Sequence, residues 1–317
     1  TGDRFMGAPE YSSEPATGAY SAERPLVILN PAGNRGRCAG LRGLLEQALT
    51  GGRGELALTN APGAAEKMAG DAARAGRAII AVGGDGTLSE VACGILASGH
   101  CVPLGIVPAG SGNDYACETL KLPRDPLKAL DIALHGTPTP MDAGAVNERF
   151  FINSLGVGID ANIAARAERL KRVPLLWGKA LYQVASIYEV LFRYDHCPQL
   201  RVSLDGAGQD ERAYALAAVT IGPTYGGGFR INPSADATDG LFDLCLIEKP
   251  AQLRALRLLP MVKKGQHSNQ PEVRHLRVRS LILEADQPIF AHCDGEVFTA
   301  QRCEARILSG ALLIRRG

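Results

Sequence analysis

Val82-Gly83-Gly84-Asp85-Gly86-Thr87 is entered from the apolar run Ala78 to Val82 and left through the helix-forming run Leu88 to Leu96. The entry is a short, fully apolar stretch, which suits a buried strand. The exit carries apolar residues at helical spacing. Between them stand three glycines within four residues. Glycine lets backbone N–H groups approach an anion with no Cβ in the way, and a helix N-terminus adds partial positive charge at the same place. Asp85 among those glycines would repel an anion unless a divalent cation lay between them. The alternative is a tight turn in which Asp85 or Thr87 caps the helix.

Working outward, the same strand–loop–helix grammar recurs on both sides. Leu26 to Leu29 ends at Asn30-Pro31-Ala32-Gly33-Asn34, and Leu104 to Val107 ends at Pro108-Ala109-Gly110-Ser111-Gly112-Asn113-Asp114. Helical spacing follows in Leu41, Leu44, Leu45 and Ala48 and in the Ala-rich stretch Ala64 to Ala75, with Glu55 to Leu58 as a further short strand. Strands alternating with helices to about residue 135 predict a mostly parallel sheet covered on both faces. In such a sheet successive strand ends place their loops along one edge, where ligands bind. Three glycine-bearing loops on that edge point to a nucleotide phosphate site. Its residues are Asn30, Gly83, Gly84, Gly86, Thr87, Gly110, Ser111, Gly112 and Asn113. Neither the Walker spacing nor the dinucleotide Gly-x-Gly-x-x-Gly spacing is present.

Near Met141 the pattern changes to short runs rich in Val, Ile, Phe and Tyr, among them Phe150 to Asn153, Leu200 to Leu204, Tyr214 to Ile221, Phe242 to Ile247 and His275 to Leu283. Turn residues separate many of them, which predicts an antiparallel, β-rich second half. Helical inserts are expected at about Gly178 to Phe192 and at Ala251 to Lys263. The expected division is a leader over residues 1–24, an α/β domain over 25–140 joined by 303–317, and a β-sandwich domain over 141–302. A ligand cleft is expected between the two domains.

Two acidic groups in the second half attract notice. In His292-Cys293-Asp294-Gly295-Glu296, the carboxylates of Asp294 and Glu296 stand two residues apart and would share a face of extended chain. One could accept a proton while the other orients it; the alternative is a hairpin tip at Asp-Gly. In Ser234 to Asp243, Asp236, Asp239 and Asp243 lie beside a turn glycine. They suit a hard cation, or simply a polar loop before a strand.

Composition narrows the classes. The chain has 317 residues, 46% apolar, with net charge +1. A near-neutral chain has no global field to recruit nucleic acid, so nucleic-acid binding is not expected. None of the eight cysteines forms Cys-x-x-Cys, which predicts reduced thiols and a cytoplasmic protein. No run approaches the roughly 18 apolar residues of a spanning helix. Arg166, Arg169, Lys171 and Arg172 beside Val173, Leu175, Leu176 and Trp177 suit either an anionic bilayer surface or a solvated helix face.

The two Gly-rich loops in this order, Asp142-Ala143-Gly144, Gly156-Val157-Gly158-Ile159-Asp160-Ala161 and the late Asp294-Gly295-Glu296 together resemble the diacylglycerol kinase catalytic-domain family. The resemblance covers nearly the whole chain outside the leader. It implies an α/β fold with an NAD kinase- or phosphofructokinase-like first domain and a β-sandwich second domain, the active site lying in the cleft. It implies ATP and Mg²⁺ as cofactors and a lipid hydroxyl as acceptor, met at the membrane surface by a peripheral cytoplasmic enzyme. Diacylglycerol is the expected lipid, with a sphingoid base, a polyprenol and phosphatidylglycerol as alternatives. By that resemblance Asp85 acts at the ATP–Mg²⁺ site, and Glu296 is the general base supported by Asp294. Asp236, Asp239 and the Leu241 carbonyl hold a second Mg²⁺, which Asp114 joins to the active site through water. The family's arginine after Asp-Phe-Ala is here Cys117, after Asp114-Tyr115-Ala116. A homodimer is among the assemblies left open. An NAD kinase-like enzyme shares the Gly-Gly-Asp-Gly loop, and a silent nucleotide sensor would share the fold.

Overall fold

The computed structural model describes residues 21–170, 179–194, 197–208 and 210–317; most of the expected leader and the stretch 171–178 lie outside them. In the first half β1 (Ser21–Leu29), α1 (Arg42–Ala48), β2 (Glu55–Leu58), α2 (Ala64–Arg74), β3 (Arg77–Gly83), α3 (Asp85–Ser98) and β4 (Pro103–Pro108) alternate as expected. A π-helical turn (Asp114–Thr119) and α4 (Pro126–His135) close this half. Strand β1 pairs in parallel with β2 and β3, and β3 with β4. It begins at Ser21 rather than at Pro25. The register shift between Ser21 and Leu26 lets the strand carry Pro25, whose ring has no N–H to give a ladder.

Alternation along β1 and β3 builds three layers. Val27, Leu29, Ile80 and Val82 pack with Leu45 and Leu49 near α1 and with Ala129, Leu130 and Ala133 of α4. Leu26, Ile28, Ile79 and Ala81 point the other way, onto Ala65, Ala69 and Ala72 of α2 and Leu88, Val91 and Ile95 of α3. Side chains of period two on a doubly covered sheet require this division. Small residues let α2 and α3 approach closely, since a Cβ on Gly94 would stand 2.1 Å from the Glu66 carbonyl oxygen.

The second half runs β5 (Thr137–Val146), β6 (Arg149–Phe151), β7 (Ser154–Gly158), α5 (Ile159–Leu170), α6 (Lys179–Phe192), β8 (Gln199–Leu204), β9 (Asp210–Thr220), β10 (Phe242–Glu248), α7 (Gln252–Lys264), β11 (Val273–Val278), β12 (Ser280–Cys293) and β13 (Glu296–Arg316). Its described pairings are antiparallel, with β7, β9 and β10 in sequence and β11 at the end. The long β13 links the halves: it pairs antiparallel with β12 and β5, then parallel with β4 through Leu313 and Ile314. Helices α6 and α7 fall where helical spacing places them; α5 is an additional helix, following directly on β7. Among the described residues no helix is long and apolar enough to cross a membrane.

Candidate active site

The three glycine-bearing loops meet at the C-terminal ends of β1, β3 and β4. Asn30 donates from Nδ2 to the Thr87 hydroxyl at 3.0 Å, joining the first loop to the second. Asn34 Nδ2 and the Cys38 thiol donate to the Ala109 carbonyl, each at 3.3 Å, joining the first to the third. The second and third loops touch backbone to backbone: a Cβ on Gly110 would lie 2.4 Å from the Gly84 Cα. Both glycines are therefore needed for the loops to approach. Asn113 holds the third loop in shape, accepting from the Gly110 amide and donating to its carbonyl, both at 2.9 Å. It does so with φ +58°, a conformation Asn tolerates better than most residues.

Asn30, Gly84, Asp85, Gly86, Thr87, Gly110, Ser111 and Gly112 line one end of a cavity of about 1180 Å³, and Asp294 and Glu296 line the same cavity. Gly83 and Asn113 stand apart from that lining. Gly83 is the last residue of β3, packed under Thr87, and Asn113 is buried behind the loop. Both shape the site without lining it.

The carboxylates have distinct environments. Asp85 opens α3 with Gly84 as its extended N-cap. Its Oδ2 accepts from the Asn113 amide at 2.7 Å and its Oδ1 from the Tyr115 amide at 3.4 Å. Burial, and then the neighbouring Asp114, push its pKa up to about 6 in spite of these amides. A buried carboxylate with acidic neighbours and no balancing cation is the donor set a hard divalent ion fits.

Asp294 and Gly295 form the two-residue tip between β12 and β13, with φ +49° and +93°. Hairpin and acidic site thus coincide, since left-handed positions favour Asp-Gly. The Asp294 carboxylate accepts from the amides of Ile152, Asn153 and Ser154, each at 2.9 Å, and from the Ser89 hydroxyl at 3.0 Å. With four donors around it, Asp294 braces the tip against α3 and the β6–β7 turn. Glu296, the first residue of β13, is exposed in the cavity. Burial and then Glu90 raise its pKa, while Arg149 opposes them.

Asp114 is buried and its Oδ2 accepts from the Gly227 and Gly228 amides at 2.8 and 3.0 Å. Among the described residues Asp114, Asp236 and Asp239 do not form one close cluster of ligand atoms. Asp236 accepts from the Thr238 hydroxyl and amide at 2.7 and 3.0 Å, and Asp239 Oδ1 from the Leu241 amide at 3.0 Å. The other Asp239 oxygen pairs with Arg277. A guanidinium thus already neutralises Asp239, and neither aspartate nor Leu241 lines the cavity.

Three contributions were not foreseen. His292 Nε2 and the Tyr225 hydroxyl meet Asp160 Oδ2 at 2.9 and 2.6 Å. The Gly295 amide donates to His292 Nδ1 at 3.3 Å, so Nε2 carries the hydrogen donated to Asp160. This chain fixes the back of the hairpin tip from residues far apart in sequence. Arg124 brings its guanidinium to the Gly112 carbonyl at 3.4 and 3.5 Å, so an arginine reaches the third loop although position 117 is cysteine. Away from the loops the cavity becomes an apolar arm, walled by Ile163, Leu181, Val190, Leu216, Phe229 and Leu258 among others. The arm could not be read from the linear sequence because α5, α6, α7, β9 and the segment after it each supply only one or two of these residues.

A cavity lined by glycine loops and carboxylates at one part and by apolar side chains at another suits a two-domain lipid kinase. The family comparisons agree. The model described as diacylglycerol kinase catalytic domain matches residues 24–146, and the YegS C-terminal NAD kinase beta sandwich-like domain matches residues 153–316. A diacylglycerol kinase of Mycobacterium tuberculosis is 32% identical over 256 residues, covering 78% of this chain and 80% of that protein. One from Bacillus subtilis is 29% identical over 223 residues, covering 69% and 70%. A crystal structure of a diacylglycerol kinase from Bacillus anthracis superposes with a TM-score of 0.69 at 20% identity, covering 93% of this chain and 97% of that one. The chain belongs to the diacylglycerol kinase family. Kinases of this family use ATP.

Proposed function

We propose that the protein transfers the γ-phosphoryl group of ATP to the hydroxyl of diacylglycerol. The observation that carries this reading is the single cavity joining the glycine loops and Glu296 to an apolar arm. Loose phosphoryl transfer demands positioning, charge neutralisation and a base more than covalent help. The amides at the start of α3 and those of Ser111 and Gly112 would face phosphate oxygens. Asp85 would hold Mg²⁺, which when bound offsets phosphate charge. Glu296 takes the proton from the attacking hydroxyl, and Asp294 and His292 keep its hairpin in place. A screen of lipids with labelled ATP and Mg²⁺, read by thin-layer chromatography, tests the assignment. Labelled phosphatidic acid from diacylglycerol is expected. Label appearing only on NAD or on another lipid class would overturn it.

The substrate reaches the cavity from a bilayer, and α6 is placed to meet one. Its inner face carries buried Leu181, Ala185 and Val190. Its outer face exposes Val184, Ile187, Tyr188, Leu191 and Phe192, at a spacing of three and four, with Phe192 67% exposed. A contiguous exposed apolar face beside a lipid cavity marks a contact surface. Of the expected basic patch, Lys171, Arg172 and the apolar residues through Trp177 lie outside the described residues, while Arg166 pairs with Glu189 and lies 3.7 Å over the Tyr188 ring, bracing α5 to α6. Replacing Ile187 and Phe192 by glutamate should lower co-sedimentation with phosphatidylglycerol-containing vesicles by about 10-fold or more, the scale of losing one or two buried apolar side chains. Unchanged co-sedimentation would remove α6 from the docking surface.

A further inference from the structure

Outside the kinase site, one cluster of side chains has ligand chemistry and no role in phosphoryl transfer. Cys245 of β10 and His275 of β11 are direct cross-strand partners in the antiparallel ladder. Such partners project on one face at close range. The turn after α7, opened by Gly265 at φ +70°, returns His267 to the same face. His267 Nε2 lies 3.8 Å from Cys245 Sγ, and the His267 and His275 ring centroids are 5.3 Å apart. One ligand atom from each of the three residues lies within 4.8 Å of the other two, and among the described residues no other trio of His, Cys, Asp and Glu does this.

Supporting contacts settle which His275 nitrogen is engaged. Asn232 Nδ2 donates to the Thr220 hydroxyl and the Asp243 carbonyl, both at 2.9 Å. The amide orientation is therefore determined, and Asn232 Oδ1 faces His275 Nδ1 at 2.8 Å. Oδ1 can only accept, so Nδ1 carries the hydrogen and Nε2 keeps its lone pair. A histidine whose second nitrogen is held by a side-chain acceptor is the arrangement seen behind metal-ligating imidazoles. Burial disfavours the charged form of both rings and of the free Cys245 thiol.

We propose that Cys245, His267 and His275 bind a Zn²⁺ ion. Two imidazoles and a thiolate are borderline-to-soft donors, which select Zn²⁺ over Mg²⁺ or Ca²⁺. The buried Cys245 and His267 supply the inner side, and the more exposed His275 leaves room for water as the fourth ligand. The ion would tie the end of α7 to β10 and β11. Cys245 packs in one cluster with Phe229, Ile231, Ile247, Leu258 and Val262, and all five of these line the apolar arm. The ion therefore fastens the wall of the hydrocarbon arm from behind. This assignment stands on its own geometry and does not depend on which substrate the kinase uses. Binding exchanges the Cys245 thiol proton for the metal, so one proton is released per ion from that residue.

The test uses the full chain, stripped with a chelator and titrated with Co²⁺ as the spectroscopic probe. One equivalent is expected to bind with a thiolate-to-cobalt charge-transfer band, and Zn²⁺ should displace it. Cys245→Ala should abolish the band. His275→Asn, on a terminal strand and partly exposed, should keep the fold and weaken Co²⁺ affinity by at least about 100-fold, since losing a ligand costs no less than losing its outer-shell support. Zn²⁺ should raise the unfolding midpoint of the parent chain by a few degrees and that of His275→Asn not at all. Absence of the band, or a band unaltered in both variants, would reduce the cluster to a thiol–imidazole contact and overturn the proposal.

Discussion

Glu296→Gln is expected to lower turnover with ATP and diacylglycerol by at least ~10²-fold, the usual cost of a lost general base. The substitution keeps size and shape and removes only the capacity to accept a proton. Glu296 is exposed in the cavity, so stability should stay within about 0.5 kcal/mol of the parent. ATP binding should persist, because the phosphate-facing loops come from the other half of the molecule. Burial and Glu90 move the carboxylate upward, toward the pH at which a base works efficiently. Asp294 cannot substitute for it, since its oxygens already accept four protein hydrogen bonds. Steady-state kinetics with both substrates varied checks the expectation. Near-normal turnover would remove Glu296 from the mechanism.

The architecture was legible where local sequence carries its own geometry. A strand that ends in glycines and re-enters as a helix states its topology within a dozen residues, and three such passages predict a shared edge. The contact of Gly84 with Gly110 shows why glycine stands at both places. Asp294-Gly295 illustrates a different outcome: the hairpin is present and does not exclude the site reading, because the turn is what carries Glu296 into the cavity. Partnerships across the sequence were not legible. Asp160 meets His292 over a separation of 132 residues, and Arg124 stands in near the loop for a residue absent at 117. The pairing of Cys245 with His275 depends on strand register, which alternation fixes only once the buried face is known. The ion pair that Arg277 of β11 makes with Asp239 was likewise not legible, because it too depends on strand register.

Asp85→Asn should separate stability from activity in opposite directions. The folded-state pKa of about 6 lies above the 3.8 of an unperturbed aspartate, with burial the first cause and Asp114 the second. The folded protein therefore binds the proton more tightly than the unfolded chain. Stability contributed by this group is greatest below about pH 4 and falls as pH rises toward 6. Above that range the ionised, uncompensated carboxylate costs the nucleotide-free protein about 1–3 kcal/mol, by conversion of the shift at roughly 1.4 kcal/mol per unit. Asparagine can still accept from the Asn113 amide through its one oxygen, giving up the longer 3.4 Å contact with the Tyr115 amide, and has no charge to desolvate. Asp85→Asn should thus raise the unfolding midpoint at pH 7.5 and converge with the parent near pH 4. The same change removes the anionic donor at the phosphate end of the cavity, and kinase turnover should fall by about 10²–10³-fold, the scale of losing one electrostatic contributor to a transition state. Mg²⁺ with ATP should stabilise the parent more than the variant, because only the parent offers the carboxylate. Thermal unfolding across pH, with and without Mg²⁺ and ATP, reads all of these at once. If Asp85→Asn destabilised the free protein at pH 7.5 while retaining its response to Mg²⁺ and ATP, Asp85 would be a structural cap of α3 and not the group that meets the nucleotide's charge.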